Sequence, residues 1–204
     1  MTDAQPGRSD SAEVADTGET GATTHGRGGT EVVDTSDHAA ASRGTADGGG
    51  RAVGLVVFLL LAFAAGGIGS VLQGSDVGAR YLAFEGPLWA PPSWAFGVVW
   101  PVLYVLIGVA AWQVWRRAGS VRAAALPLGL WAVQLVFNAA WPGVFFGEDL
   151  QWTAVGVIGV LDVLVVATVW AFARVDRVAA WLLAPYLLWI LYATALNVAI
   201  AALN

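Results

Sequence analysis

The chain has 204 residues, of which 57% are hydrophobic and 12% are charged, and its net charge is −5. Soluble domains carry about 25% charged residues, so this composition predicts an integral membrane protein. Cysteine is absent, which excludes disulfides, thiolate metal ligands and cysteine nucleophiles.

The first fifty residues differ in composition from the rest of the chain. They hold nine of the fifteen acidic residues but three of the ten arginines, so the negative net charge comes from this segment. A polar segment of high net charge does not bury enough apolar surface to offset its ordering entropy, which predicts a disordered acidic tail over residues 1–50. Its charge excludes nucleic acid as a partner. His25 and His38 both lie in the tail and are interpreted as solvated rather than metal-binding.

Five apolar stretches follow the tail. A membrane-spanning helix needs about twenty mostly apolar residues, and each stretch meets that length. They cover approximately residues 52–73, 94–115, 123–141, 152–173 and 178–203. The predicted fold is therefore an all-α membrane protein, in which residues 51–204 form a five-helix bundle in the cell membrane.

The arginines near the span ends predict an orientation, because short loops rich in positive charge stay in the cytoplasm. Arg80 stands alone on one side. The opposite side, where the first span begins, has seven: Arg43, Arg51, Arg116, Arg117, Arg122, Arg174 and Arg177. We expect the tail to lie in the cytoplasm, with the carboxyl terminus and the long first loop outside.

Three spans place aromatic rings and polar groups together on one helix face. Residues three or four apart share a face of a helix. The sets are Phe96, Trp100 and Tyr104 in the second span, Gln134, Asn138 and Trp141 in the third, and Trp189, Ala193 and Asn197 in the fifth. Because an unsatisfied polar group is costly in lipid, we expect these faces to turn inward, toward one another or toward a ligand.

Asp162 is the one carboxylate in the middle of a predicted span. An ionisable residue in hydrocarbon suggests a ligand or proton role, and a proton-coupled carrier would use it. The alternative is a structural hydrogen bond between helices. No span interior contains an arginine, so we expect Asp162 to be neutral or to accept hydrogen bonds from Asn138, Tyr104 or a tryptophan indole.

Three sequence blocks resemble the TspO/MBR family, the tryptophan-rich sensory proteins related to the mitochondrial translocator (peripheral benzodiazepine receptor) protein. They are W-A-P-P-S-W-A-F-G-V-V-W-P-V-L-Y at 89–104, Q-L-V-F-N-A-A-W-P-G-V-F-F-G at 134–147 and W-L-L-A-P-Y-L-L-W-I-L-Y-A-T-A-L-N at 181–197. Asp162 falls where the fourth span of the family has an acid. The resemblance covers about residues 52–204 and leaves the tail unmatched.

The resemblance implies a protein, often a homodimer, that binds porphyrins such as protoporphyrin IX and other planar apolar ligands in a pocket closed by the first loop. A sensory, regulatory or transport role follows from it, with no obligatory cofactor and no metal. Matching positions carry over Trp89, Trp94, Trp100, Tyr104, Asn138, Trp141, Trp189, Ala193 and Asn197 as ligand-binding residues. We add Arg80 as a partner for ligand propionates at the mouth of the pocket.

The family resemblance also suggests an enzyme that degrades porphyrin oxidatively or photo-oxidatively. The sequence offers no nucleophile–base pair or metal cluster, so catalysis is less favoured.

The sterol-associated Tyr and basic residue that end the fifth span of mitochondrial relatives are missing after Asn197, so sterol binding is not predicted.

A homodimer needs small residues where helices approach closely. Ala125 and Gly129 of the third span form the best small-xxx-small pair. The alternative is that these two residues pack within the bundle.

Overall fold

The computed structural model describes residues 35–147 and 150–204, with the backbone alone described for residues 35–49. The described residues form helices and no strands. The helices are α1 (Thr35–Leu72), α2 (Val77–Ala83), α3 (Trp94–Ala118), α4 (Ala125–Phe145), α5 (Gln151–Val175), α6 (Arg177–Leu182) and α7 (Ala184–Leu203).

Five helical segments of the described chain are long and apolar enough to cross a membrane. They are Gly50–Leu72, Trp94–Ala118, Ala125–Phe145, Gln151–Val175 and Arg177–Leu203, with mean hydropathies between 1.3 and 2.5. The last of these combines α6 and α7. The predicted all-helical class and the count of five spans are confirmed, and each boundary lies within four residues of its predicted place.

The first helix begins earlier than predicted. Of the 38 residues of α1, the last 23 form the span, and helical backbone extends in front of it to Thr35. Once a helix exists, each added residue gains a hydrogen bond without a new nucleus, so the span supports this extension. Residues 1–34 of the tail predicted over residues 1–50 lie outside the described residues.

The five spans pack in a ring. Each contacts its neighbours in the order α1, α3, α6 with α7, α5, α4 and back to α1. Glycines allow α1 and α3 to approach closely along the first half of the span Gly50–Leu72. A Cβ on Gly108 would lie 2.9 Å from Leu59 Cδ2, and a Cβ on Gly54 would lie 2.4 Å from the ring of Trp115.

The arginine-rich end of the bundle is tied together by Asp176, at the junction of α5 and α6. Its carboxylate accepts hydrogen bonds from the backbone of Val178 at 2.7 Å and from Nε of Arg117, on α3, at 3.0 Å. Burial alone would raise the pKa of Asp176, but the hydrogen bonds from Val178, Arg117 and Ala179 and the charge of Arg117 outweigh it and lower the pKa. Asp176 is therefore a charged cap that links two helix ends.

Candidate ligand-binding cavity

A cavity of about 590 Å³ lies among α1, α3, α4 and α7, with α2 at its mouth. This volume falls in the range of about 300–1,000 Å³ that is usual for small-molecule sites. Its lining is mainly aromatic and small apolar residues, and no charged side chain contributes to it among the described residues. Such a site suits an apolar ligand.

Six of the ten predicted ligand-binding residues line the cavity. They are Trp100, Tyr104, Asn138, Trp141, Ala193 and Asn197. The other four, Trp89, Trp94, Trp189 and Arg80, lie outside its lining. The structure thus brings the inward faces of the second, third and fifth spans to one space.

Two stacked aromatic pairs line the cavity on α3 and α4, the two helices that flank α1 in the ring. On α3 the rings of Trp100 and Tyr104 have centroids 5.5 Å apart and planes 25° apart. On α4 the rings of Trp141 and Phe145 have centroids 5.1 Å apart and planes 20° apart. All four residues line the cavity, so α3 and α4 each present a broad aromatic surface to it.

A chain of hydrogen bonds satisfies the polar groups behind the Tyr104 ring. Tyr104 donates to Oδ1 of Asn138 at 2.8 Å, and Nδ2 of Asn138 donates to the hydroxyl of Tyr186 at 3.1 Å. Tyr186 donates in turn to Oε1 of Gln134 at 2.7 Å. The chain joins α3, α4 and α7, and it explains why the amides of the third span turn inward, away from lipid.

A second polar link fixes the Trp141 ring. Its indole Nε1 donates to Oδ1 of Asn197 at 3.0 Å, and Nδ2 of Asn197 donates to the carbonyl of Gln151 at 3.3 Å. Trp141 is 9% exposed and Asn197 is 1% exposed, so both sit in the interior. The indole cannot turn away from the cavity without leaving a buried amide unpaired.

The first span also builds the cavity, which the sequence interpretation missed. Phe63, Gly66, Gly67 and Ser70 all line it. A Cβ on Gly66 would lie 2.4 Å from the ring of Tyr104, so the glycine makes room for that ring. The available signal was the run of small residues in an otherwise bulky apolar span, but glycine has no side chain to indicate which face points inward.

The first loop is fastened over the end of the bundle by three contacts. Nη1 of Arg80 donates to the carbonyl of Phe146 at 2.6 Å, and the hydroxyl of Tyr192 donates to the carbonyl of Trp89 at 2.9 Å. The side chain of Asn204 bonds both the amide of Glu85, at 3.0 Å, and its carbonyl, at 2.9 Å. Trp89 and Arg80 therefore help to hold the loop and do not line the cavity.

Tyr81 adds an internal bond to the same loop. Its hydroxyl donates to the carbonyl of Pro91 at 2.8 Å, and its ring meets Phe96 edge-on. Burial, with a smaller effect from Tyr192, raises the pKa of Tyr81. The hydroxyl consequently remains a donor throughout the physiological pH range.

The two remaining tryptophans differ from each other. Trp94 is 69% exposed at the start of α3. Trp189 packs edge-on against Phe96, a lining residue, at 5.8 Å, and its buried Nε1 has no hydrogen-bond partner among the described residues. Trp189 thus supports the wall from behind, whereas Trp94 faces outward.

Asp162 lies outside the cavity lining. Its Oδ2 accepts a hydrogen bond from Thr194 of α7 at 2.9 Å, and its Oδ1 is buried with no partner in the described part of the chain. The donors expected from the sequence were wrong. Thr194 reaches Asp162 because α5 and α7 are neighbours in the ring, while Asn138 and Tyr104 face each other across α3 and α4.

The fold and the site define a class: a five-span α-helical membrane protein with an aromatic cavity that lies beneath its first extramembrane loop. The family model described as the TspO/MBR family matches residues 57–203. The chain belongs to the TspO/MBR family, and it is a multi-pass membrane protein.

Individual relatives agree with this assignment. A tryptophan-rich sensory protein of Cereibacter sphaeroides is 42% identical over 118 residues, which cover 58% of this chain and 72% of that protein. The translocator protein of Homo sapiens is 38% identical over 135 residues, covering 61% and 79% of the two chains. Protein CrtK of Rhodobacter capsulatus is 34% identical over 148 residues, covering 72% and 91%.

Proposed function

We propose that the cavity binds a planar, largely apolar ligand of the porphyrin or other tetrapyrrole class. The observation that carries this proposal is the presence of two stacked aromatic pairs, Trp100 with Tyr104 and Trp141 with Phe145, in the lining of one cavity. A flat macrocycle can lie against such surfaces, and each aromatic contact contributes about 0.5–1.5 kcal/mol beyond simple burial. The names of the relatives, sensory protein and translocator protein, support a sensory, regulatory or transport role.

The polar edge of a porphyrin would lie at the mouth. The lining holds no charged residue among those described, so propionate groups gain nothing by entering the interior. Arg80 lies at the mouth, because its Nη1 bonds the carbonyl of Phe146, which lines the cavity. A guanidinium has five N–H donors, so Arg80 keeps donors for a carboxylate while it holds that carbonyl.

The test is a titration of the full chain in lipid nanodiscs with protoporphyrin IX, followed by quenching of tryptophan fluorescence. We expect saturable binding of one porphyrin per chain. The control is a soluble anionic dye of similar charge, which should not saturate. Quenching that rises linearly with porphyrin concentration, without saturation, would contradict the proposal.

The proton-coupled carrier gains less support from the geometry. Asp162 lies outside the cavity lining, and one of its oxygens bonds Thr194 on the neighbouring span. A carrier needs its ionisable residue to sense the ligand. This arrangement favours the alternative considered from the sequence, a hydrogen bond that joins two helices.

We also propose a homodimer through the outer face of α4. Ala125 and Gly129 are exposed, and a Cβ on Gly129 meets no atom within 4 Å, which argues against packing inside the bundle. Small residues on a lipid-facing surface allow a second copy to approach closely. Gly129→Leu should reduce cross-linked dimer in lipid, whereas Gly156→Leu on α5 should not; equal dimer in both variants would exclude this face.

For the orientation, we propose that the amino-terminal side of α1 faces the cytoplasm, as the arginine distribution indicates. A reporter fused before Arg51 should lie inside, and one fused after Asn204 should lie outside. Cytoplasmic reporters at both positions would contradict it.

A further inference from the structure

The contacts between α1 and α3 differ from one glycine to the next. A Cβ on Gly66 would clash with Tyr104, and one on Gly108 would press on Leu59. A Cβ on Gly67 or Gly97 meets no atom within 4 Å, and both glycines line the cavity. The cavity therefore reaches the space beside these two glycines of α1 and α3.

Residues along this space line the cavity and are also exposed. On α1 they are Phe63, Gly67 and Ser70, which share one helix face, and on α3 they are Gly97 and Pro101, one turn apart. We call these five residues the α1–α3 window. The exposed surface of these residues includes the part that faces the cavity. The window borders the lipid-facing surface because Ile68 and Val98, which directly follow Gly67 and Gly97, are exposed and do not line the cavity.

Three of the five window residues, Gly67, Ser70 and Gly97, are small, in contrast to neighbouring lipid-facing positions. Exposed positions next to it on α1 carry Ile68 and Val71, and those on α3 carry Val98 and Val102. Bulky apolar residues are the ordinary choice where a helix meets lipid, and small residues in membrane helices usually mark a close helix contact. Gly67 and Gly97 make no such contact with the described residues, so they leave room beside the cavity.

Backbone chemistry adds a polar group at the same place. Pro101 lies inside α3 and has no N–H, so the carbonyl of Gly97 loses its usual donor four residues ahead. In hydrocarbon an unsatisfied carbonyl is costly. A ligand or water molecule in the window would supply a donor to it.

Entry from the aqueous side is obstructed by contrast. The first loop is held by Arg80 on Phe146, by Tyr192 on Trp89 and by the two bonds between Asn204 and Glu85. A ligand that arrives through the loop must break several of these bonds at once. The α1–α3 window needs none of them to break.

We propose that ligands enter and leave the cavity sideways, from the bilayer, through the α1–α3 window. The ligand class is then restricted to molecules that partition into lipid, with an apolar body and any charged groups at headgroup depth. This inference rests on the proposed function and adds the route and the physical class of the ligand.

The test closes the window in a protein that is already folded. Because the chain has no cysteine, Ser70→Cys supplies a single attachment point for a bulky maleimide. The matched control is Gly156→Cys, an exposed position on α5 that lies outside the cavity lining and where a Cβ meets no atom within 4 Å. Association and dissociation of protoporphyrin IX are then measured by stopped-flow fluorescence in nanodiscs.

Labelling of Ser70→Cys should slow both association and dissociation by about tenfold, since a blocked route raises the barrier in both directions, whereas a label that only weakened binding at the lining would speed dissociation. Labelled Gly156→Cys should match the unlabelled protein. Asn204→Ala, which frees the loop, should leave both rates unchanged. Unchanged rates in labelled Ser70→Cys, or faster exchange in Asn204→Ala, would overturn the lateral route while leaving porphyrin binding intact. Failure of the unmodified chain to bind protoporphyrin IX at all would instead overturn the proposed function.

Discussion

The hydroxyl of Tyr104 lies 2.8 Å from Oδ1 of Asn138, and this hydrogen bond joins the second and third spans directly at the cavity wall. The ring of the same tyrosine rests against Gly66 of the first span and stacks on Trp100. Three helices therefore meet at one side chain. Changes around Tyr104 should affect both the stability of the bundle and its binding of ligand.

Tyr104→Phe should lower the free energy of unfolding by about 1–3 kcal/mol, because it leaves Oδ1 of Asn138 buried without a donor. The measurement is thermal or denaturant unfolding in detergent, followed by circular dichroism. Tyr192→Phe is the control, since its hydroxyl bonds the carbonyl of Trp89 in the exposed loop and its loss should cost less. Equal losses in the two variants would argue against a special role for the buried bond.

Gly66→Ala and Gly67→Ala should differ sharply although the two positions are adjacent. A Cβ on Gly66 would lie 2.4 Å from the Tyr104 ring, so overpacking should destabilise by about 1–3 kcal/mol and displace that ring. A Cβ on Gly67 meets no atom, and alanine is the better helix former by about 0.5–1 kcal/mol, so that variant should be neutral or more stable. The measurement is the unfolding midpoint of each variant. An unchanged midpoint for Gly66→Ala would contradict the close contact between Gly66 and the Tyr104 ring.

Trp100→Ala should weaken protoporphyrin IX binding at least tenfold. That factor corresponds to about 1.4 kcal/mol, the scale of one aromatic contact. Trp152→Ala is the matched control, because Trp152 is 63% exposed at the start of α5 and does not line the cavity. Each variant must first be shown to fold, since removal of a packed tryptophan costs about 3–5 kcal/mol. Equal affinities in well-folded variants would remove Trp100 from the site.

Acidification should destabilise the wild-type bundle partly through Asp176. The pKa of this carboxyl is lowered in the folded protein, so its contribution to stability is present above the unfolded pKa of about 3.9 and is lost as the pH falls through the folded value. Asp176→Asn keeps a capping side chain but removes the charge. The difference in unfolding midpoint between wild type and variant should therefore shrink between pH 7 and pH 3, and a constant difference would show that the charge is immaterial.

The inward faces of three spans could be predicted from the sequence because helical periodicity and the cost of a buried amide act together. Asn138 and Asn197 had to avoid lipid, so Trp141, three residues after Asn138, and Ala193, four residues before Asn197, followed them inward. Both amides are 1–2% exposed in the structure. Trp94 was included because its position matches the family and not because of periodicity, and it is 69% exposed in the structure.

The contribution of the first span and the partner of Asp162 could not be predicted for a different reason. The role of Gly66 depends on the position of Tyr104 on another helix, and a glycine carries no polarity that reveals its face. Thr194 can bond its own helix backbone, so its sequence position did not mark it as a donor to Asp162. Both depend on which helices become neighbours, a property of the assembled ring.

The hydrogen bonds from Tyr104 through Asn138 and Tyr186 to Gln134 all point in the same direction. Aligned donors polarise one another, so each link strengthens the next. A ligand oxygen that accepted the hydrogen bond of the Tyr104 hydroxyl would leave Oδ1 of Asn138 without a donor. It would also weaken the two hydrogen bonds that follow in the chain. The wall should therefore discriminate against ligands with an acceptor at that point. Any ligand that does shift Tyr104 would alter the vibrational frequency of the Tyr186 hydroxyl. Tyr186 lies on α7 and is linked to Tyr104 only through Asn138.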